Sequence, residues 1–432
     1  MRARPPRRRI GGTALTTPNF LLLFAAMLVA ASGNTALQSV MPAIGREIGI
    51  ADLWTALAYT SSAVLWVALA PFWARKSDDH GRKPLILMGI GGFIVSMILC
   101  GLILMLGLHG VLGGAATFIL FALARGIYGG LGCATPSATQ AYLASRTRRG
   151  ARVVALSALS SSFGLGTIIG PAMAPLFVLP FIGLPGPLFA FALIGIVVFV
   201  AVLRWLPDDL KSRHSGRGAA MSYPSMASSM TGASVIAATS NDRSHLKWND
   251  LRIRPWILAG VASGHAQAAT LTCLGFFIID RLGLAPRGSE TSIAIVMMAG
   301  ASATLAAQWG MIPRLGLGPR TMILSGSLIA ALGLAGTMIA SDLYGIVLGF
   351  AVASLGFGFT RPGFTAGASL AVGLGEQGGV AGVITAANGI SFVAAPTIGM
   401  LLYAVDPGLP FGVAALLLVG VFGWARAHLA SF

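Results

Sequence analysis

The chain has 432 residues, of which 56% are hydrophobic and 10% charged, with a mean hydropathy of +0.82. Soluble domains carry about 25% charged residues, so this composition excludes an ordinary soluble globular protein and points to an integral membrane protein. A net charge of +16 raises nucleic acid as a partner, and the distribution of that charge along the chain removes it, as set out below.

Residues 1–18 form a basic arm with five arginines. The apolar run that follows, Asn19 to Met41, is longer than the hydrophobic core of a secretory signal. The arm is therefore read as a cytoplasmic anchor for a first membrane span. Apolar runs of about 20 residues each cross about 30 Å of hydrocarbon as a helix, and only helices or closed barrels satisfy their backbone there. Twelve spans are predicted, over 19–41, 54–74, 84–107, 112–144, 153–180 and 186–205, then 255–279, 290–311, 320–341, 343–371, 380–403 and 409–427. The segment 206–254 is rich in Ser, Gly and Ala and reads as a flexible cytoplasmic linker. Within it, Lys247–Arg254 carries Trp248, Leu251 and Ile253 among basic residues, and reads as a surface amphipathic segment or as plain linker. The expected fold is an all-α polytopic membrane protein. It has two six-helix bundles, 19–205 and 255–427, and a cytoplasmic tail, 428–432.

With both termini cytoplasmic, 24 of the 29 Lys and Arg residues fall on the cytoplasmic side and three, Arg46, Arg281 and Arg287, on the other. The remaining two, Arg125 and Arg361, lie within spans. This asymmetry sets the orientation. It also turns the basic surplus toward the cytoplasmic leaflet, so no nucleic acid is expected. The halves repeat faintly. Ser160–Pro171 and Thr385–Pro396 align at an offset of 225, placing Gly164 on Gly389 and Pro171 on Pro396. The stretch R-L-G-L-G-P-R after span 8 reads as a decayed second copy of the segment between spans 2 and 3, with Gly318 and Arg320 near the positions of Gly81 and Arg82.

That segment, Ala74 to Ile86, holds seven charged or histidine residues among thirteen. Its order, Asp78, Gly81, Arg82, Lys83, resembles the helix 2–3 loop of the major facilitator superfamily, although Asp79 replaces a basic residue of that pattern. Further residues carry the resemblance. Arg125 and Gly129 in span 4 resemble a superfamily motif whose arginine lines the transport path. Arg152 matches the arginine that follows it, while Ser145 stands where that motif has aspartate. In span 5, Gly166, Gly170 and Pro171 resemble part of the antiporter motif of drug exporters and are read as a flexure. The resemblance implies two homologous halves that rock about a site near the midplane, as in twelve-span drug:proton antiporters of the multidrug and tetracycline type.

The polar residues of the spans supply the candidate site. Asn34 and Gln38, four apart, share a face of span 1. Arg125, Gly129, Gly132, Pro136 and Gln140 share one on span 4, by steps of four and three. Span 7 carries His265 and Gln267, span 10 Arg361, and span 11 Asn388. The resemblance makes spans 1, 4, 7 and 10 the cavity lining. An interhelical hydrogen bond is the competing reading for each neutral polar residue, and a packing histidine for His265. A buried arginine is expensive in lipid and belongs in a cavity or against a partner.

None of the thirteen acidic residues lies mid-span. The cavity is therefore expected to be electropositive and to favour neutral or anionic substrates. Proton coupling then falls to His265, Asp280 or the Asp78 network. Asp78 is expected to accept an arginine or the positive end of a helix such as span 11, latching the cytoplasmic side.

Cys100, Cys133 and Cys273 lie in apolar runs with no ligand spacing, and no hydrolase or metalloprotease motif occurs. The expectation is a secondary transporter, not an enzyme. It exports small organic molecules or drugs from the cytoplasmic membrane of a bacterium, as a monomer in the lipid bilayer. It uses no cofactor, only a proton gradient. A symporter importing a small organic anion is the alternative, and a non-transporting sensor a distant one.

Overall fold

A computed structural model describes residues 17–147, 149–208, 249–373 and 376–430. The first half contains α1 (Thr17–Ile48), α2 (Asp52–His80), α3 (Arg82–Leu108), α4 (Gly114–Ile127, continuing as Ala134–Arg146), α5 (Arg149–Met173) and α6 (Gly186–Trp205). The second contains α7 (Arg254–Leu282), α8 (Ser289–Leu305, continuing as Ile312–Leu315), α9 (Pro319–Ile339), α10 (Leu343–Leu370), α11 (Gln377–Tyr403) and α12 (Leu409–His428). Among the described residues, eleven helices are long and apolar enough to cross a membrane; α5, many of whose side chains are not described, is the twelfth long helix. There is no strand among them, only an isolated antiparallel bridge between Leu179 and Gly183.

The helices outrun the apolar runs because a helix satisfies its own backbone beyond the hydrocarbon edge as well as within it. Helix α1 continues through Pro42 to Ile48, and α2 reaches His80. Span 5 is shorter than expected: α5 stops at Met173, two residues beyond Pro171, and a 3-10 turn at Pro175–Phe177 follows. The charged segment between spans 2 and 3 is not a loop. It is helical on both sides of a one-residue joint, Gly81, whose φ of +88° lies where a side chain is strained. In the proposed second copy, the positive φ falls on Gly316, at +57°, rather than on Gly318. Of the amphipathic segment before α7, Trp248 lies outside the described residues, Leu251 is exposed and Ile253 is buried in a turn.

The two halves are built alike. In the first, α1 packs on α5 and α6, and α3 on α4 and α6. In the second, α7 packs on α11 and α12, and α9 on α10 and α12. Adding six to each helix number converts one set into the other. The halves meet where α2 lies on α11 and α5 on α8, two contacts that the same operation exchanges. The glycines aligned by the repeat occupy these contacts. A Cβ at Gly164 would lie 2.8 Å from Leu305 on α8, and one at Gly389 would lie 3.0 Å from Val67 on α2.

Within the first half, Gly166 and Gly170 bring α5 onto the backbone of α1. A Cβ at Gly170 would lie 2.3 Å from the Ser32 carbonyl oxygen, and the Thr35 hydroxyl donates to the Gly166 carbonyl at 3.1 Å. These glycines serve a tight seam. Outward, Leu193, Val197, Leu332, Leu348 and Leu416 are each at least 63% exposed. Such an apolar belt suits lipid, not water.

Candidate functional site

Three groups of residues lie along the interior, and each draws on several helices. The first is in the α1–α6 half. Arg125 ends the first segment of α4 and is fully buried. Its guanidinium donates to the Asn34 side-chain oxygen on α1 and lies over the rings of Tyr128, at 4.9 Å, and Tyr59, at 5.4 Å. A buried cation here is met by a neutral amide and two aromatic faces. Immediately after it α4 winds into a π-helix, Tyr128–Gly132. This extra-wide turn alters the register expected from steps of four and three. Gly129 packs against α2, where a Cβ would lie 2.4 Å from the Ser62 carbonyl oxygen. Gln140, beyond the π turn, is fully buried, and neither end of its amide has a partner among the described residues.

The second group is a pocket between the halves, walled by Gln38, Tyr59, Leu271, Phe276, Met297 and Phe392 among others. It is mostly apolar, and five helices contribute: α1, α2, α7, α8 and α11. Asn34 and Gln38 do share a face of α1, but only Gln38 reaches this pocket.

The third is a smaller pocket in the second half that gathers Gln267 from α7, Arg361 from α10 and Asn388 from α11, with Thr360, Ser391 and Phe392. Phe392 belongs to the walls of both pockets. His265 is not in either. Its Nδ1–H donates to the Val261 carbonyl at 2.8 Å and lies 3.3 Å from the Ser391 hydroxyl. It packs at the α7–α11 seam, which is the packing reading rather than the cavity one.

One end of the interior is closed by charged residues that composition alone assigned to loops. Arg46, near the end of α1, donates to Asp52 on α2 at 2.7 and 3.2 Å and to both carboxylate oxygens of Asp280 on α7. Tyr403 on α11 donates to Asp280 at 2.5 Å, and Arg46 also stacks on Phe276, 5.5 Å from its ring centre. Beside this network Arg287 pairs with Glu47 at 2.8 Å. Four helices from both halves are thus tied together over the apolar pocket. Of these residues the sequence singled out Asp280 for coupling, and Arg46 and Arg287 only as charges on the non-cytoplasmic side.

The opposite end carries the Gly81 joint. Arg82 is buried at the start of α3, and Lys83 pairs with Asp208, just after α6, at 3.1 Å. Arg252 bridges Asp250 and Glu376, each at 2.8 Å. Both pairings stay within one half. The Arg252 guanidinium holds the Asp250 and Glu376 carboxyls below the usual carboxylate range, and its own pKa is raised in return. The side chains of Asp78 and Arg152 lie outside the described residues. The ion pairing described between the halves is at the Arg46 end, and the expected Asp78 latch falls on a side chain outside the described residues.

The chain matches the model of the Major Facilitator Superfamily over residues 23–396. It is 24% identical over 196 residues to the multidrug resistance protein MdtG of Proteus mirabilis, covering 44% of this chain and 45% of that protein. It is 28% identical over 196 residues to the class B tetracycline resistance protein of Escherichia coli, covering 43% of each. These matches span less than half of either relative. The crystal structure of the human organic anion transporter MFSD10 superposes with a TM-score of 0.64 at 16% identity, over 94% of this chain and 99% of that one. At that identity the likeness speaks to the fold alone. The family match, the twelve long helices among the described residues in two related halves and the Gly81 joint lead to one conclusion: this chain belongs to the Major Facilitator Superfamily and is a multi-pass membrane protein.

Proposed function

We propose that the protein is a secondary active exporter of small organic molecules, embedded in the cytoplasmic membrane of a bacterium with both termini in the cytoplasm. One observation carries this reading. The Arg46–Asp280 network joins the halves at one end, above an interior pocket, while the ion pairs described at the Gly81 end each stay within a half. A transporter that alternates access needs such a breakable closure. In the proposed orientation the Arg46 end is extracellular, where an exporter releases its substrate and this closure would have to open. The relatives in multidrug and tetracycline resistance support export.

Proton antiport is the proposed driving mechanism. With His265 committed to packing, Asp280 is the carboxylate best placed to couple. Protonating it would remove the charge that holds Arg46 and would free α7 from α1. Binding of a proton from outside then favours opening at that end, where substrate leaves, and antiport requires that this proton be released to the cytoplasm before the Arg46–Asp280 pair re-forms. The protein works as a monomer, and no cofactor enters this scheme.

An import reading draws on a separate observation. Two arginines lie within the spans and no acidic residue lies mid-span, so an anion driven inward with protons would also fit the interior. Expression in a drug-hypersusceptible bacterial strain separates the two. Export predicts raised resistance, or lowered accumulation, for part of a chemically broad panel, lost in Asp280→Asn. If no compound is expelled and an organic acid is instead accumulated, the symport reading replaces it.

A further inference from the structure

We propose that Arg361 is the anion-receiving end of the substrate site and that the transported compounds include amphiphilic monocarboxylates. This deepens the transport reading and rests on it.

The two mid-span arginines are in different situations. Arg125 is answered by the protein itself, through Asn34 and two aromatic rings. Arg361 is 93% buried, its relative exposure being 7%, and its Nε has no hydrogen-bond partner among the described residues. The described ion pairs use Arg46, Lys83, Arg252 and Arg287, and leave Arg361 out. A desolvated guanidinium without a counter-ion is strongly unfavourable, and within a span it marks a ligand path or a missing partner. It lies on a pocket wall, with the amide side chains of Gln267 and Asn388 on the same wall. A carboxylate matches the planar fork of a guanidinium through two parallel hydrogen bonds, and side-chain amides add donors for its remaining lone pairs.

The rest of the ligand follows from what adjoins. Among the described residues lining its pocket, Arg361 is the one that is charged, which matches a monoanion rather than a dianion. Phe392 is shared with the larger apolar pocket, whose wall includes Leu271, Phe276 and Met297. A compound with an aromatic or aliphatic body and a single carboxylate would place the body against the second wall and its charge on the first.

The test is equilibrium binding to the full chain in lipid nanodiscs, where no gradient is present. The probes are 1-naphthylacetate and its methyl ester, which share a body and differ in charge. The wild type should bind the acid about tenfold or more tightly than the ester. Arg361→Gln should lose about ten- to a hundredfold in acid affinity and leave the ester within about threefold. Arg361→Lys should keep part of the preference. If Arg361→Gln does not fold, alkylation of Asn388→Cys in an otherwise wild-type chain gives the answer: the acid should slow it and the ester should not. Equal affinity for acid and ester in the wild type, a preference that survives in Arg361→Gln, or equal protection of Asn388→Cys would overturn the assignment. A protein that binds the acid through Arg361 but moves nothing across a membrane would overturn the transport reading and leave the subsite standing.

Discussion

Asp280→Asn should open the Arg46 end. Asp280 accepts two hydrogen bonds from Arg46, the longer at 2.8 Å, and one from Tyr403 at 2.5 Å. Asparagine keeps one acceptor oxygen and loses the charge: with that oxygen at the Oδ2 position the bond to Oδ1 goes, the bonds from Arg46 Nη2 and Tyr403 are each about halved without the charge, and Arg46 falls back on Asp52. A hydrogen bond to a charged group contributes about 1.5–3 kcal/mol when buried. Here the Asp280 side chain is 35% exposed and that of Arg46 21%, and solvent screening lowers each bond to about 1 kcal/mol. The closure therefore loses about 2 kcal/mol, which moves the ratio of closed to open by about 30-fold. Spin labels on Ala51 and Ala285, exposed positions on either side of the network, read this as a distance distribution. The three native cysteines are buried and do not compete for label. Asp280→Asn should transfer a large share of the population to a longer distance, with Tyr403→Phe intermediate. If the wild-type and Asp280→Asn distributions coincide, the network does not hold the halves together and the closure argument is wrong.

Other positions separate folding from motion. Gly164→Leu and Gly389→Leu, at the sliding contacts α5–α8 and α2–α11, should yield folded protein with transport cut at least about tenfold, because overpacking by about 1–3 kcal/mol falls unequally on the two states. Gly170→Leu, in the α1–α5 seam, should instead abolish monodisperse folded protein in size-exclusion chromatography. Asp78→Asn should lower transport while the protein still folds; normal transport would reduce that segment to a topology anchor. The Arg252 cluster makes a pH prediction. The Asp250 and Glu376 carboxyls are held below their unfolded values, so their contribution is complete above the unfolded carboxylate range of about 4. It is lost as pH falls through the lower, folded values. The wild-type melting temperature should therefore fall more steeply below about pH 4 than that of Arg252→Gln, and the two should run parallel from pH 5 to 8.

What the sequence disclosed follows from the scale of each interaction. The spans were legible because a bilayer imposes one length and one polarity on every crossing segment. The repeat was legible in Gly164 and Gly389, yet their meaning was not: only the packed helices show that both face the opposite half. The Arg46 closure escaped a linear reading because Arg46 and Asp280 are 234 residues apart and each looks like a routine charge at a span end. Helical stepping placed Arg125 beside Gly129 and Gln140, but the π turn between them lies outside any fixed period. His265 was ambiguous because a histidine in a span reads the same whether it faces a cavity or a carbonyl, and here Val261 supplies the carbonyl. Arg361, Gln267 and Asn388 come from three helices, and their convergence rests on the interior that the family fold implies.

The central claim is outward transport by alternating access, and inside-out membrane vesicles test it most directly. Their outer face is the cytoplasmic one. An inside-acid gradient should load a labelled substrate into vesicles containing the wild type, with a simultaneous loss of the gradient, and Asp280→Asn should uncouple the two. Accumulation confined to right-side-out vesicles, with protons entering alongside the substrate, would contradict the account.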